Sequence, residues 1–441
     1  MKKIVLIQPS ERILVGKKKK YGSIMPPLGL LSLAACIREY CRGWEVSIMD
    51  YEVKNGDPEP DYSVFDIIGI SGTTVHMPHA KILAESIRMV NKNACIIMGG
   101  AHASFAYLSL LKDIPEIDVV IRGEGEISLI QLINEFVDRY HIPHIKGVIS
   151  RSSTSFDLSD IPVSLDTLPR YAYDLIPIDK YQLSTHRQSL SVPFISMMVS
   201  RGCPFSCAYC QTPTMFGNCI RYRSASLVYE ELKYLKEQYD IKSVVFWDDT
   251  FTANRPYTVG LCDLLKDLSI TWMCNTRVDK IDEELLLIMK KAGCQQIFFG
   301  VESFQLNTLQ YLNRTTNEEK VRNAFRLCKK VDIKTVASLM IGTPFDNLKT
   351  IQENIDKLIS LEPSDIYVSI YNVTVGSKEF ERAVMDGTLP KDIDWYNPHL
   401  FSGPPYGLPT VHRSISRHEL QKFQKYAYKK HYGKDKENQF E

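Results

Sequence analysis

Ser200-Arg201-Gly202-Cys203-Pro204-Phe205-Ser206-Cys207-Ala208-Tyr209-Cys210 is the stretch on which the reading of this chain turns. Three thiols, separated by three and then two residues, follow directly on Phe194-Ile195-Ser196-Met197-Met198-Val199, a run that reads as a buried strand. A loop leaving a strand end can bring such thiols to one metal site. Thiolates are the ligands of iron-sulfur clusters, and since a closed cluster takes four of them, three leave one iron open to a small molecule. Structural zinc is the competing reading: it needs four ligands in tetrahedral closure, and Cys219 is available as the fourth. Free thiols also pack as small hydrophobes; Gly202, Pro204 and Ser206 argue against packing alone.

Downstream, apolar strands alternate with helix-length amphipathic stretches, with strands predicted over 195–199, 243–247, 271–275, 296–300, 335–341 and 365–370. Six such units make a partial, open (β/α)6 barrel, whose functional residues belong at the carboxyl ends of the strands. There stand Phe246-Trp247-Asp248-Asp249-Thr250-Phe251, then Asn275, Arg277 and Asp279, then Gly300-Val301-Glu302-Ser303, then Met340-Ile341-Gly342-Thr343-Pro344. Singly these have ordinary uses, carboxylates as helix caps and Gly-x-Pro as a turn. Their order behind the thiols is what gives them weight.

Upstream, strands are predicted over 4–7, 45–49, 67–71, 95–98 and 118–121, with helices over 28–41, 78–90 and 126–137. This is a Rossmann-like α/β domain, and such sheets bind ligands at the carboxyl ends of their strands. Those ends hold Gln8-Pro9, Ser71-Gly72-Thr73-Thr74, Gly99-Gly100-Ala101-His102 and Arg122-Gly123-Glu124-Gly125-Glu126. A nicotinamide site is disfavoured, because no Gly-x-Gly-x-x-Gly turn follows the first strand. The expected organisation is a ligand domain over 1–140, a Ser-, Asp- and Pro-rich linker over 141–193, the barrel over 194–386, and a small, mostly helical extension over 387–441 with one helix near 418–430.

The spacing of the thiols, with Tyr209 before the last of them, resembles the radical S-adenosylmethionine superfamily, and the later strand ends extend the likeness in order. Met25-Pro26-Pro27-Leu28-Gly29-Leu30 resembles the Pro-Pro-Leu-Gly segment of the cobalamin-dependent group of that superfamily. The resemblance implies that Cys203, Cys207 and Cys210 hold a 4Fe-4S cluster. It also implies that Tyr209, Asp248 or Asp249, Arg277, Glu302, Gly342 and Pro344 meet S-adenosylmethionine. Cobalamin is expected along Pro26, Pro27, Leu28 and Gly29, at the loops bearing Ser71, Thr73, Thr74, Gly99, Gly100 and His102, and at Arg122, Gly123, Glu124 and Glu126, whose Arg and Glu side chains would bond corrin amides.

No Asp-x-His-x-x-Gly motif is present; His76 or His79, near the third strand end, could approach the lower face of the corrin, though a lone His there is more often an ordinary helix-start residue, and a cobalt with no protein ligand, easier to reduce, is the alternative. Asp346 departs from the family's Gly-plus-acid pattern after the fifth strand. By resemblance the activity is methyl transfer from S-adenosylmethionine through methylcobalamin to an unactivated carbon or phosphorus of a small-molecule or peptide substrate, using a 5′-deoxyadenosyl radical. Radical ring formation, contraction or rearrangement is the alternative, and a zinc- and corrinoid-binding carrier the non-enzymatic one. An external electron donor such as flavodoxin or ferredoxin is implied. Trp395, Tyr396, His399, Tyr406 and His412 are candidates to cover the cavity, the alternative being that they pack the tail.

Composition bounds the rest. Over 441 residues, 53 Lys and Arg face 52 Asp and Glu, so no general field draws the chain to nucleic acid or anionic membrane. The run Lys17 to Lys20 reads as a solvated loop. Eleven cysteines, an odd number without framework spacing, point to a reducing, cytoplasmic setting. The apolar start Ile4-Val5-Leu6-Ile7 is ended too early by Gln8 and Pro9 to be a secretion signal, and no run has transmembrane length.

Overall fold

The computed structural model describes all residues except 12–22, 55–57, 185, 186, 188, 401–407, 409, 410, 413 and 434–441. The lysine run from Lys17 to Lys20 and Tyr406 lie outside the described residues.

The first half runs β1 (Lys2–Gln8), α1 (Leu28–Tyr40), β2 (Trp44–Asp50), β3 (Ile67–Ser71), α2 (Met77–Val90), β4 (Cys95–Gly99), α3 (Ala101–Asp113), β5 (Val119–Ile121), α4 (Gly125–Asn134) and β6 (Val148–Ile149). These strands form one sheet in the order β2-β1-β3-β4-β5-β6, parallel except for the antiparallel β5–β6 pair. Continuous apolar runs such as Ile4 to Ile7 are what a parallel sheet covered on both faces requires. Crossing helices supply the covers, with α2 and α3 on one face and α1 and α4 on the other.

The second half runs β7 (Phe194–Met197), β8 (Ser200–Arg201), α5 (Thr212–Phe216), β9 (Arg221–Tyr222), α6 (Ala225–Tyr239), β10 (Ser243–Phe246), α7 (Arg255–Leu265), β11 (Thr271–Thr276), α8 (Glu283–Lys291), β12 (Cys294–Glu302), α9 (Leu306–Tyr311), α10 (Glu318–Lys330), β13 (Lys334–Ile341), α11 (Leu348–Ser360), β14 (Asp365–Ile370), α12 (Lys378–Met385) and α13 (Arg417–Tyr432). Six parallel strands in the order β14-β13-β12-β11-β10-β7 make the open barrel sheet. Its helices are locally encoded. In α8 and α10, Asp282 and Asn317 accept from the third-residue amides, acids fill the first turn and lysines the last, as caps and helix dipole favour. The last helix, α13, packs along β14, where Gln424 Nε2 donates to Val368 O and Val368 N–H to Tyr428 Oη.

Residues 141–193 are more firmly built than a linker composition suggests. Among the described residues they supply β6 and three short 3-10 turns, and their tyrosines reach both sheets: Tyr181 Oη donates to Asp50 Oδ2 at 2.8 Å and Tyr173 Oη to Ser196 O. Ile24, Leu31 and Val53 of the first half join the buried cluster of the second, so the two cores are continuous. Among the described residues no helix is long and apolar enough to cross a membrane.

Candidate active site

The thiol loop leaves β8 and is pinned at several points. Gly202 has φ +97°, and a Cβ there would stand 2.4 Å from the carbonyl oxygen of Cys219, so the turn requires glycine. Amides of Cys203 and Ala208 donate to the carbonyls of Gly217 and Leu312, and the Glu379 amide donates to Ala208 O. Phe205 lies under the Arg277 guanidinium, 3.9 Å from ring centroid to Cζ.

Cys207 lies within reach of the charge of both Cys203 and Cys210. Burial first, then the Asp249 carboxylate and the neighbouring Cys207 in smaller part, pushes the thiols of Cys203 and Cys210 up. Each sulfur has a polar neighbour suited to a thiolate: Thr212 N–H donates to Cys210 Sγ at 3.4 Å, Thr250 Oγ1 lies 3.7 Å from Cys203 Sγ, and Arg314 Nη1 lies 3.8 Å from Cys207 Sγ. This fits a cubane, whose cysteines grip different irons. Among the described residues no three His, Cys, Asp or Glu side chains close on a single ion, and the Cys219 thiol is exposed.

The paired carboxylates after β10 divide their work. Asp248 is fully buried and accepts from Ser200 N–H, Ser200 Oγ and Val199 N–H, so it braces the start of the thiol loop. Burial raises its carboxyl to about 7. Asp249 accepts from Thr212 Oγ1 at 2.9 Å, and burial raises it to about 6. Because the same Thr212 donates its N–H to Cys210 Sγ, Asp249 is the member of the pair tied to the end of the thiol loop.

Glu302 ends the β12 strand at φ +68°, an unusual conformation for a residue with a side chain. It accepts from Tyr209 Oη at 3.1 Å and from Ser338 Oγ at 2.9 Å, so the Tyr209 and Glu302 side chains meet. Arg277 is buried, paired to Asp279 at 2.9 Å, bonded to Thr315 Oγ1 and stacked on Phe205. It therefore supports the thiol loop from below. The departure at Asp346 also has a use: its Oδ2 accepts from the amides of Gly342 and Thr343, both at 2.8 Å, and so shapes the turn that holds Gly342 at φ +88°. Pro344 is exposed on that turn. His412 Nε2 lies 2.8 Å from Asp346 O, and Leu420 of α13 packs over Gly342.

In the first half, a cavity of about 290 Å³ opens between the sheet and helices α1 and α4. Leu6, Gly69, Ile97 and Ile121 form its floor and Leu30, Leu33 and Leu129 its roof; Leu28, Gly29, Ser71, Gly99, Gly100 and Gly123 edge the mouth. Gly100 has φ +91°, and a Cβ there would stand 2.8 Å from Ser71 Oγ, so the two strand-end loops close up because no side chain intervenes. An apolar slot with a glycine-edged, hydroxyl-bearing mouth fits the flat heteroaromatic tail of a corrinoid. Beside it Pro27, Ser71, Thr73, His76 and Gly100 line a crevice of about 450 Å³. Pro26 is buried behind it.

Several expected contact residues have partners within the protein. Glu124 and Glu126 pair with Arg201, and Glu124 also with Arg221. Arg122 donates to Ser104 O and lies 4.0 Å from the Tyr107 ring centroid. His102 is buried beneath Thr74 Oγ1 at 3.1 Å and against Trp395, and burial lowers its pKa to about 3. His76 Nδ1 accepts from Thr73 N–H, with Nε2 3.9 Å from Glu52. His79 Nδ1 accepts from Ser10 N–H inside the domain. Arg314, Thr212 and Arg201 were not singled out from sequence, because only the folded chain brings them to the thiols and carboxylates.

A parallel ligand-binding sheet set against an open parallel barrel, with three thiols beyond the first barrel strand, defines an iron-sulfur enzyme carrying a second, corrinoid-type ligand domain. Family models agree: "Radical SAM superfamily" matches residues 197–358 and "B12 binding domain" residues 18–133. An uncharacterized methyltransferase of Pyrococcus horikoshii, PH0819, is 30% identical over 407 residues, spanning 88% of this chain and 84% of the relative. The anaerobic magnesium-protoporphyrin IX monomethyl ester cyclase of Rubrivivax gelatinosus is 29% identical over 306 residues, 65% of this chain and 53% of that one. Among solved structures, the radical S-adenosylmethionine methyltransferase TsrM from Kitasatospora setae, with cobalamin and a [4Fe-4S] cluster bound, superposes with a TM-score of 0.67 at 16% identity over 88% of this chain and 75% of its own. The chain belongs to the cobalamin-dependent radical S-adenosylmethionine family and is an enzyme of that family. Its cofactors are the family's three: a 4Fe-4S cluster, S-adenosylmethionine and cobalamin.

Proposed function

We propose that the enzyme transfers a methyl group from S-adenosylmethionine to an unactivated carbon, or to phosphorus, of a small-molecule or peptide substrate. When bound, the cofactors would supply the chemistry, reductive cleavage of S-adenosylmethionine to a hydrogen-abstracting radical and carriage of the methyl group. The contribution of the chain is placement. Cys203, Cys207 and Cys210 hold the cluster; Tyr209, Asp249, Arg277, Glu302 and the Gly342 turn orient S-adenosylmethionine; and the 1–140 domain offers its glycine-edged mouth to the corrinoid. The observation that carries this reading is the meeting of the two sites at Thr212, which lines the corrinoid cavity and donates to Cys210 Sγ.

The P. horikoshii relative bears a methyltransferase name, and the cyclase relative favours the second reading, ring formation or rearrangement with the same cofactors. Feeding methyl-labelled S-adenosylmethionine tests the choice. Label in the product is expected, and a product without it overturns methyl transfer in favour of the second reading. The cluster needs a one-electron donor such as flavodoxin or ferredoxin, and a cytoplasmic setting suits that demand.

A further inference from the structure

The corrinoid cavity and the thiol loop share walls. Arg201, Gln211, Thr212, Met215 and Phe216 of the barrel half line the cavity, and these residues flank the thiols directly in sequence. On the entry side, Arg201 Nη1 pairs with Glu124 Oε2 at 2.6 Å and Nη2 with Glu126 Oε1 at 2.7 Å, while Ser32 Oγ donates to the same Glu126 oxygen at 2.6 Å. Arg221 of β9 takes the other oxygen of Glu124. The two glutamate side chains are 1% and 7% exposed and the two arginines 10% and 12%. Buried pairs of this kind hold register between elements, since separating them strands a charge. On the exit side, Thr212 donates its N–H to Cys210 Sγ at 3.4 Å and its Oγ1 to Asp249 at 2.9 Å.

Hydrogen bonds to sulfur are among the levers that set a cluster's reduction potential. A ligand filling the cavity bears on Arg201 and Thr212 together, and so on the N–H that points at Cys210. We propose that Thr212 and the Glu126–Arg201 pair are positioning residues through which occupancy of the corrinoid site sets the reduction potential of the cluster. By reciprocity, the corrinoid binds with different affinity to the oxidised and reduced forms of the protein. A tenfold difference between those affinities corresponds to a shift of about 59 mV for a one-electron couple.

This inference rests on the cofactor assignment above. The test uses the full chain, anaerobically reconstituted with iron and sulfide, with hydroxocobalamin as the probe. Iron and corrinoid contents are measured first, then the cluster's midpoint potential by EPR-monitored titration with and without the corrinoid. A shift is expected in the native chain. It should be lost in Glu126→Gln and shrink in Thr212→Val, which removes the Oγ1 that anchors Thr212 to Asp249, with iron and corrinoid contents reported for each. Should Glu126→Gln fail to fold, Ser32→Ala loosens the same carboxylate and should shrink the shift. A native potential indifferent to the corrinoid, or variants that shift as the native chain does, overturns the coupling alone. A native chain that takes up neither cofactor overturns the assignment beneath it as well.

Discussion

The guanidinium of Arg314 stands 3.8 Å from the sulfur of Cys207, with its second amine donating to the carbonyl of Gly300. A cation against a cluster thiolate favours the electron-rich form of the cluster. Arg314→Met is therefore expected to keep its iron but to show a more negative midpoint potential, with adenosyl cleavage slower by roughly 10- to 100-fold, as is common for residues bonded to metal ligands. An unchanged potential would reduce Arg314 to a brace for Gly300.

Replacing Cys203, Cys207 or Cys210 by Ala should abolish 5′-deoxyadenosine formation and lower bound iron, while hydroxocobalamin retention stays native. Cys219→Ala should do neither, because that thiol is exposed. Iron analysis and cleavage assays on the four variants decide the point; loss of the cluster in the Cys219 variant would return zinc-like, four-sulfur closure to consideration.

Asp248 makes stability depend on pH in a direction opposite to most carboxylates. Burial raises its carboxyl from 3.8 to about 7, so between those values the native chain holds a proton that the unfolded chain has released. Stability is thus lost as pH rises through this window, with a slope of up to roughly 1.4 kcal/mol per unit from this group. Thermal unfolding of cofactor-free protein from pH 4 to 7 should show a flatter profile for Asp248→Asn than for the native chain. A constant difference between the two profiles would mean that Asp248 does not titrate there.

Removing the Asp346 carboxylate leaves the amides of Gly342 and Thr343 without the acceptor they share. Asp346→Ala should cost about 1–3 kcal/mol in urea unfolding, the usual penalty for buried donors left unpaired. S-adenosylmethionine affinity, read by calorimetry on reconstituted protein, should fall with iron content unchanged.

His76 was the sequence candidate for a cobalt ligand, yet its Nδ1 accepts from Thr73 and its Nε2 is turned toward Glu52. In cob(II)alamin-loaded protein, His76→Ala should leave the EPR nitrogen splitting pattern as it is in the native chain. Loss of a nitrogen coupling in the variant would identify His76 as the axial donor.

Both sheets were legible because their strands are long enough to carry a pattern: strands predicted over 67–71 and 365–370 coincide with β3 and β14. β6, β8 and β9 escaped, since two residues have no periodicity to read and their pairing is decided by distant partners. In the site, the thiols and the strand ends bearing Tyr209 and Glu302 could be picked out from motif order, but not the bond between those two side chains. Which of Asp248 and Asp249 is tied to the end of the thiol loop could not, because it depends on how the loop after β10 turns. The pairing of Glu124 and Glu126 could not be read either: their arginine partners lie far along the chain, and only tertiary packing brings Arg201 and Arg221 to them.

Tyr173 and Tyr181, each anchored to a different sheet from one stretch of irregular backbone, bear on how such enzymes can be recombined. The two halves are not interchangeable cassettes. A hybrid joined within residues 141–193 would inherit hydroxyls cut to fit a neighbour it no longer has, so productive crossovers must carry this stretch together with both surfaces it touches.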